Sequence, residues 1–111
     1  MNPTNTKAVQ LIAQEVQSNE AMYETAHDDL HTEGDLATAA SVYARLSTQN
    51  MNVRANVRAT ADRWTPSSHL YDWPWEELPK LGDDSNESRV HNLVKAAALI
   101  TAEIARRLRI A

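Results

Sequence analysis

The sequence predicts an all-α fold, a small bundle of three or four helices with a long Pro- and Trp-containing connection before the C-terminal helix. Alanine dominates the apolar residues, whereas Phe is absent and Gly occurs only twice among 111 residues. This mixture suits closely packed helices and suits strands poorly. Apolar residues also recur at intervals of three and four along several segments, which is the helical period. The length predicts a single helical domain, 1–111.

A first helix is predicted from about Thr6 to about Tyr23. Pro3, with Thr and Asn residues around it, is typical of a helix start. The apolar positions form one stripe, namely Val9, Ile12 and Val16, with Ala8 and Leu11 beside them. Thr25 is suited to cap a short turn after this helix.

A second helix is predicted from about Glu33 to Thr48. Its buried face is expected to consist of Leu36, Ala39, Ala40, Tyr43 and Leu46. Its small residues, Ala37, Ala39, Ala40 and Ala44, favour the close approach of another helix. The following segment, 49–64, is ambiguous: Val53, Val57 and Trp64 are spaced to lie on a weaker helix, but Asn and Gln residues at its start oppose one.

The segment from Thr65 to about Gly82 holds three of the four prolines. Two Trp and one Tyr, at positions 71, 73 and 75, provide apolar surface that this segment can bury. An ordered connection is therefore expected here rather than a flexible linker.

The last helix is predicted to begin after Asp84 as its N-cap, with Glu87 completing a capping box. Its apolar positions repeat every three or four residues: Val90, Leu93, Val94, Ala97, Ile100, Ile104 and Leu108. Three arginines, at positions 106, 107 and 109, lie in its last turn, where cations favour the helix dipole. This helix and the second one are expected to form the central antiparallel pair.

Composition and charge exclude several classes of protein. The chain has no Cys, which excludes disulfides and thiolate zinc sites. A net charge of −4, with dispersed basic residues, disfavours binding to a nucleic-acid backbone. We expect no membrane span, because no apolar run is long enough, and no signal peptide at the N-terminus. A thin, Ala-rich core makes a homo-oligomer a reasonable expectation.

A candidate metal site lies between His27 and Glu33, where two histidines and three acids occur. On a helix, His27 and His31 are about one turn apart and face the same way, and Asp28 lies three residues from His31. With Glu103 reaching across from the last helix, these side chains are candidate ligands for a divalent ion (Mg, Mn or Zn). Alternatively, the acids stabilise the dipole at a helix start, and the histidines are surface or capping groups.

A candidate ligand-binding set consists of aromatic and cationic residues of the last two segments, namely Tyr71, Trp73, Trp75, Lys80 and Lys95. Two indoles around a proline make a rigid surface that can stack on a base or a peptide. The two indoles are equally suited to plug the open end of a thin bundle, and one ring can pack while the other lines a pocket. Lys95 is predicted to contact a phosphate or carboxylate, and Glu103 a metal or a histidine; the alternative is a solvated stripe.

Four blocks of the chain together resemble a family of small helical proteins encoded by phages and prophages. The blocks are "HDDLH", "GDLATAASVYA", "WPW" and "LVKAAALITAEI", and the match spans about Ile12 to Leu108. The resemblance implies a helical fold and the cytoplasm of a bacterial host. This family is similar, more remotely, to all-α nucleotide pyrophosphohydrolases that hold magnesium with acidic helix residues.

Two functions are compatible with these observations. The first is a small phage accessory protein that binds a host protein or a nucleotide-like ligand, as a host-takeover or anti-defence modulator. The second is a metal-dependent nucleotide pyrophosphohydrolase that uses His27, Asp28, His31 and Glu103. The first is favoured, because the acids are too few and too clustered for a two-metal site.

Overall fold

A computed structural model describes residues 1–23, 25–60 and 68–110, and all the regular structure within these stretches is helical. The helices are α1 (Pro3–Met22), α2 (Thr25–Asp29), α3 (Asp35–Ser47), α4 (Met51–Arg58) and α5 (Asn86–Ile110), with a 3₁₀ turn at Ser68–Leu70. The all-α prediction is confirmed. Within the described stretches, none of the helices combines the length and the apolar character that crossing a bilayer requires. Trp64 and the start of the predicted connection, 65–67, lie outside the described residues.

Helices α3 and α5 form an antiparallel pair. At one end, the Arg89 Nη1 of α5 donates a hydrogen bond to the carbonyl oxygen of Ser47, the last residue of α3, at 2.9 Å. At the other end, the pKa of Arg106 is raised, chiefly by its hydrogen bond to Glu103 and also by the charges of Asp29 and Asp35. Arg109 of α5 also donates a hydrogen bond at 2.7 Å to Asp29, the last residue of α2, so the C-terminal part of α5 lies near the start of α3.

The predicted buried face of α3 is confirmed. Each of its members is at most 8% exposed: Leu36, Ala39, Ala40, Tyr43 and Leu46. This face packs into a core that also contains residues of every later segment, namely Val57, Leu70, Trp73, Leu81 and Ala96. The connection after residue 67 is therefore part of the core and not a linker.

Asparagine and serine side chains begin three of the helices. Asn2 Oδ1 accepts a hydrogen bond from the Asn5 N–H at 2.7 Å, and Pro3 is the first helical residue, three residues before the predicted start at about Thr6. Asn50 Oδ1 accepts from the Val53 N–H at 3.0 Å, so an Asn that counted against a helix in this segment is instead its N-cap. For α5 the predicted cap was wrong. The helix begins at Asn86, and the Ser85 hydroxyl, not Asp84, accepts from the backbone N–H of the third helical residue at 3.1 Å.

The apolar repeat of α5 does not mark its buried face. Five of its seven apolar residues are exposed, namely Val90, Leu93, Ile100, Ile104 and Leu108. The face turned to the core instead carries Ala96 with three polar side chains, Asn92, Glu103 and Arg106. Ala98 is also buried, but it lies about 200° from Ala96 on another side of the helix. A polar side chain can be buried where its hydrogen bonds are made inside the protein, and each of these three polar side chains has internal partners.

Candidate binding site

Six aromatic side chains form a continuous series in which each ring contacts the next. From the core to the surface they are Tyr43, Trp73, Trp75, His31, His27 and Tyr23. The centroids of consecutive rings are between 4.6 and 5.7 Å apart, which is the range of favourable ring pairs. We call this set the ring series. It joins two features that the sequence predicted separately, the histidine pair and the Trp-Pro-Trp segment.

The inner end of the ring series is structural. Trp73 is 5% exposed, and its indole N–H donates to the Glu77 carbonyl oxygen at 2.8 Å. The Tyr43 hydroxyl accepts from the Lys80 backbone N–H at 3.0 Å, and burial raises the pKa of this phenol. Both buried rings thus hold the connection against α3.

Asp35 connects the middle of the series. Its Oδ2 accepts hydrogen bonds from Nδ1 of His31 and, at 3.2 Å, from Nε1 of Trp75. A carboxylate oxygen can only accept, so His31 carries its proton on Nδ1 towards Asp35. The other oxygen, Oδ1, is buried and has no hydrogen-bond partner among the described residues.

The histidine pair lies at the outer end. The Nε2 atoms of His27 and His31 face each other at 3.4 Å. His31 is partly buried against Trp75, whereas His27 is exposed and its ring stacks on Tyr23, with 20° between the ring planes. The site therefore presents Tyr23 and His27 to solvent and keeps His31 in a defined orientation.

Local structure explains how the chain brings these groups together. His31 follows the short helix α2, and its backbone N–H bonds to the Asp28 carbonyl oxygen at 3.0 Å. Gly34 then turns the chain into α3 with a positive φ of 77°, a conformation that favours glycine. Asp35, the first residue of α3, is thereby placed within hydrogen-bond reach of His31. Residues 30–34 are not helical, so the four-residue spacing of His31 and Asp35 did not indicate this contact, and the sequence analysis did not include Asp35 in the site.

The structure does not bring Glu103 to the histidine pair. Its two carboxylate oxygens accept hydrogen bonds from Arg106, at 2.7 and 3.1 Å, and one of them also accepts from Arg107 at 2.8 Å. These guanidinium groups, Arg106 foremost, lower the pKa of Glu103. Among residues 1–23, 25–60 and 68–110 no group of three His, Cys, Asp or Glu is placed to hold a metal ion. The four-residue set predicted from the sequence is thus not assembled in this structure.

The predicted ligand-binding residues are spread over different surfaces. Trp75 belongs to the ring series, and Trp73 is buried. Tyr71 is exposed and lies under the guanidinium of Arg45 at 5.5 Å. Lys80 is exposed beside Glu77, and Lys95 lies 3.7 Å from Glu15 of α1. Within this set, the two indoles contact each other, with ring centroids 5.4 Å apart.

A groove of about 300 Å³ runs between α1 and α5. It is lined by Leu11, Gln14, Glu15, Glu87, Val90, His91 and Val94. None of the aromatic side chains predicted to bind a ligand lines this groove, so it is separate from the ring series.

Comparisons with known proteins do not place the chain in a group: no protein-family model, no curated protein and no solved structure matches it. The resemblance to the phage-encoded helical family stays a prediction from the sequence.

Proposed function

We propose that this protein acts by binding a partner protein, and that the outer end of the ring series is the contact. The observation that carries this proposal is the exposure of large apolar and aromatic side chains around the histidine pair. Met22, Tyr23 and Leu30 flank the pair in the chain, and all three are exposed, Leu30 to 79%. Aromatic and apolar residues that a rigid scaffold presents to solvent are typical of protein–protein contacts.

The rigidity of this surface supports a binding role. His27 and Tyr23 are stacked, and His31 is held by Asp35 and Trp75. Trp75 in turn contacts the buried Trp73. Side chains that are already ordered before association lose little conformational entropy on binding.

The carboxylates near the site favour binding over hydrolysis. A magnesium-dependent pyrophosphohydrolase needs several acidic side chains free to coordinate the metal. Here Glu103 is paired with Arg106, Asp29 with Arg109 at 2.7 Å, and Asp35 with His31. The arginines that neutralise Glu103 and Asp29, and the hydrogen bond that occupies Asp35, leave few ligands for magnesium, which supports the first function predicted from the sequence.

The biological setting of the proposal comes from the sequence resemblance. We propose a small accessory protein of a phage or prophage that works in the cytoplasm of a bacterial host and modulates host metabolism or defence. The partner would be a host protein, because the exposed side chains at the site are apolar and aromatic. A nucleotide-like ligand and pyrophosphohydrolase activity are the alternatives that the experiment must separate.

The test uses affinity-tagged protein expressed in a bacterial host, with bound proteins identified by mass spectrometry. Leu30→Asp and Tyr23→Ala are expected to abolish retention of a specific partner. Met51→Asp, an exposed apolar residue on α4, should retain it at the parental level. Retention that is the same in all four proteins would contradict the proposed surface.

A nucleotide panel separates the alternatives. If a nucleotide raised the melting temperature of the parent but not of the Tyr23→Ala variant, the ligand would be nucleotide-like instead. Release of pyrophosphate from a nucleoside triphosphate with magnesium or manganese would identify the hydrolase.

The histidine pair also supports a second candidate function, the binding of a transition-metal ion. Zinc bound tetrahedrally at 2.0–2.1 Å by two imidazole nitrogens separates them by about 3.4 Å. The two Nε2 atoms are 3.4 Å apart. The His31–Asp35 hydrogen bond leaves the Nε2 lone pair of His31 available, and a carboxylate in this role orients many metal-bound histidines. With two ligands from this protein, the remaining coordination positions of the zinc ion would be filled by water or by a group of the partner protein.

Calorimetric titration of zinc, manganese and magnesium tests this second function. Zinc is expected to bind the parent, and binding should be lost in His27→Ala and His31→Ala. It should be kept in His91→Ala, which removes an exposed histidine of α5. Affinity should fall on acidification, because only neutral imidazole coordinates a metal. Equal heats from the parent and the two site variants would rule out a metal at this pair.

We also propose that the protein works as a homo-oligomer. The support is the apolar surface that α5 leaves exposed, since burial of such a surface stabilises association.

A further inference from the structure

Helix α5 carries a row of apolar side chains that the fold leaves uncovered. We call it the α5 stripe, and its members are Val90, Leu93, Ala97, Ile100, Ile104 and Leu108. The five large residues of the row are 38–70% exposed. Exposed apolar residues are common when scattered singly, but a continuous row of them marks an interaction surface.

The stripe lies on a face of α5 that the neighbouring helices leave exposed. Successive residues of an α-helix are about 100° apart around its axis. With Asn92 and Ala96 facing α3, the stripe is centred about 120° away on one side. Lys95, which pairs with Glu15 of α1, lies on the other side. Among residues 1–23, 25–60 and 68–110, helix α5 is thus contacted by α3 on one face and by α1 and, near its end, α2 on another, and the large residues of its third face are exposed.

The spacing along the stripe is that of a helix-pairing seam. From Val90 to Ile104 the intervals are three, four, three and four residues. This alternation keeps one narrow row against a partner helix, as in coiled coils. A helix face that only packs within a globular domain is usually wider.

We infer that the α5 stripe is the interface of a symmetric homodimer in which two copies of α5 pack antiparallel. A two-fold axis near the middle of the stripe would set Leu93 against the partner's Ile104 and Ala97 against the partner's Ile100. The two pairs have the same midpoint along α5, and a two-fold axis through that midpoint relates the residues of both pairs. The same surface on both copies is then self-complementary, as a two-fold interface requires.

Charge at the ends of α5 selects the antiparallel orientation. Glu87 lies in the first turn, and Arg107 and Arg109 lie in the last. Antiparallel packing places the Glu87 of each copy near the partner's Arg107, whose side chain is largely exposed, and aligns the helix dipoles favourably. Parallel packing would instead bring the arginines of the two copies together, and like charges repel.

This inference rests on the proposed homo-oligomer and assigns its interface. Sedimentation equilibrium is expected to give the parent twice the 12.4 kDa mass of the chain. Ile100→Glu should raise the dimer dissociation constant at least roughly 100-fold, because it buries an unpaired charge, while the far-UV circular dichroism stays helical. Ile104→Glu should behave likewise. Val9→Glu is the matched control, since Val9 on α1 and Ile100 are both 48% exposed, and this variant should remain a dimer.

A disulfide experiment tests the orientation. The chain has no native cysteine, so Leu93→Cys and Ile104→Cys each introduce a single thiol. When the two variants are mixed and oxidised, the mixed 93–104 disulfide should predominate over disulfides between identical chains.

The outcomes separate the proposals. A monomeric parent would overturn both the homo-oligomer and this interface. A dimer that survives Ile100→Glu and Ile104→Glu would overturn the interface alone. Predominant 93–93 links would show parallel packing and overturn the antiparallel inference. Partner binding at Leu30 is measured separately and does not depend on any of these results.

Discussion

Replacement of Arg54 by methionine is expected to cost the fold about 3–5 kcal/mol, the usual effect of removing one partner from a buried ionic network. Arg54 is fully buried, and all five of its N–H groups are used. Nε donates to Asp84, Nη1 to the Leu46 carbonyl oxygen and to Asn92, and Nη2 to the carbonyl oxygens of Leu81 and Asp83. Methionine fills similar space but leaves these acceptors without their donors.

This loss would be a large part of the total stability, since a domain of this size is stable by about 5–15 kcal/mol. The Arg54 network joins α4 to the end of α3, to the connection at 81–84 and to α5. Urea unfolding followed by circular dichroism measures the effect. Arg54→Lys should also be destabilising, because an ammonium group cannot reproduce the planar arrangement of five donors.

Arg58→Met is the matched control for this prediction. Arg58 bonds the same carboxylate, Asp84, at 2.7 Å, but it is exposed. Surface ion pairs contribute less than about 1 kcal/mol, so this variant should unfold close to the parent. Equal destabilisation by the two substitutions would contradict the prediction, because the burial of Arg54 would then make no difference to its contribution to stability.

Replacement of Trp73 by alanine is the second substitution with a large expected effect, about 3–5 kcal/mol. The indole is buried between Tyr43 and Trp75 and donates to the Glu77 carbonyl oxygen. Alanine would leave a cavity in the core and an unpaired carbonyl. Trp73→Phe should be less destabilising, since it keeps most of the packing but loses the hydrogen bond.

Trp75→Ala should have a different consequence. Trp75 is only partly buried, so its removal is expected to leave a folded protein. It also removes a hydrogen bond to Asp35 and a contact with His31, so partner retention should weaken. Urea unfolding and the affinity experiment, applied to both variants, test this distinction. If both substitutions merely lowered the stability and neither affected binding, the aromatic segment would have only a structural role.

The sequence predicted the local features of the site but not its composition. The spacing of His27 and His31 indicated a pair, and the structure places their Nε2 atoms face to face. Asp35 and Trp75 are 40 residues apart in the chain, and nothing in the local pattern indicates that they meet. The candidate acid from α5, Glu103, was chosen for its position in the middle of that helix, yet its two nearby arginines already neutralise it.

The face of α5 shows why a hydropathy pattern can be misleading. In a monomeric bundle the apolar stripe of a helix usually faces the core, but most of the apolar row of α5 is exposed. The core-facing side instead contains Asn92, Glu103 and Arg106. Asn92 is satisfied by Arg54 and by the Leu81 carbonyl oxygen, both distant in sequence. A hydropathy pattern describes the polarity of each residue and contains no information about hydrogen-bond partners in distant segments.

The sequence by itself determined the all-α class, the approximate positions of α1, α3 and α5, and the buried face of α3. These features depend on interactions within a few residues along the chain, namely capping and the helical period. Only the tertiary structure decided which side of α5 is buried, that Arg54 belongs to the interior, and that the histidines join the aromatic segment. These features depend on which distant groups satisfy a buried charge or complete a ring contact, and such partners are set by the packing of the whole chain.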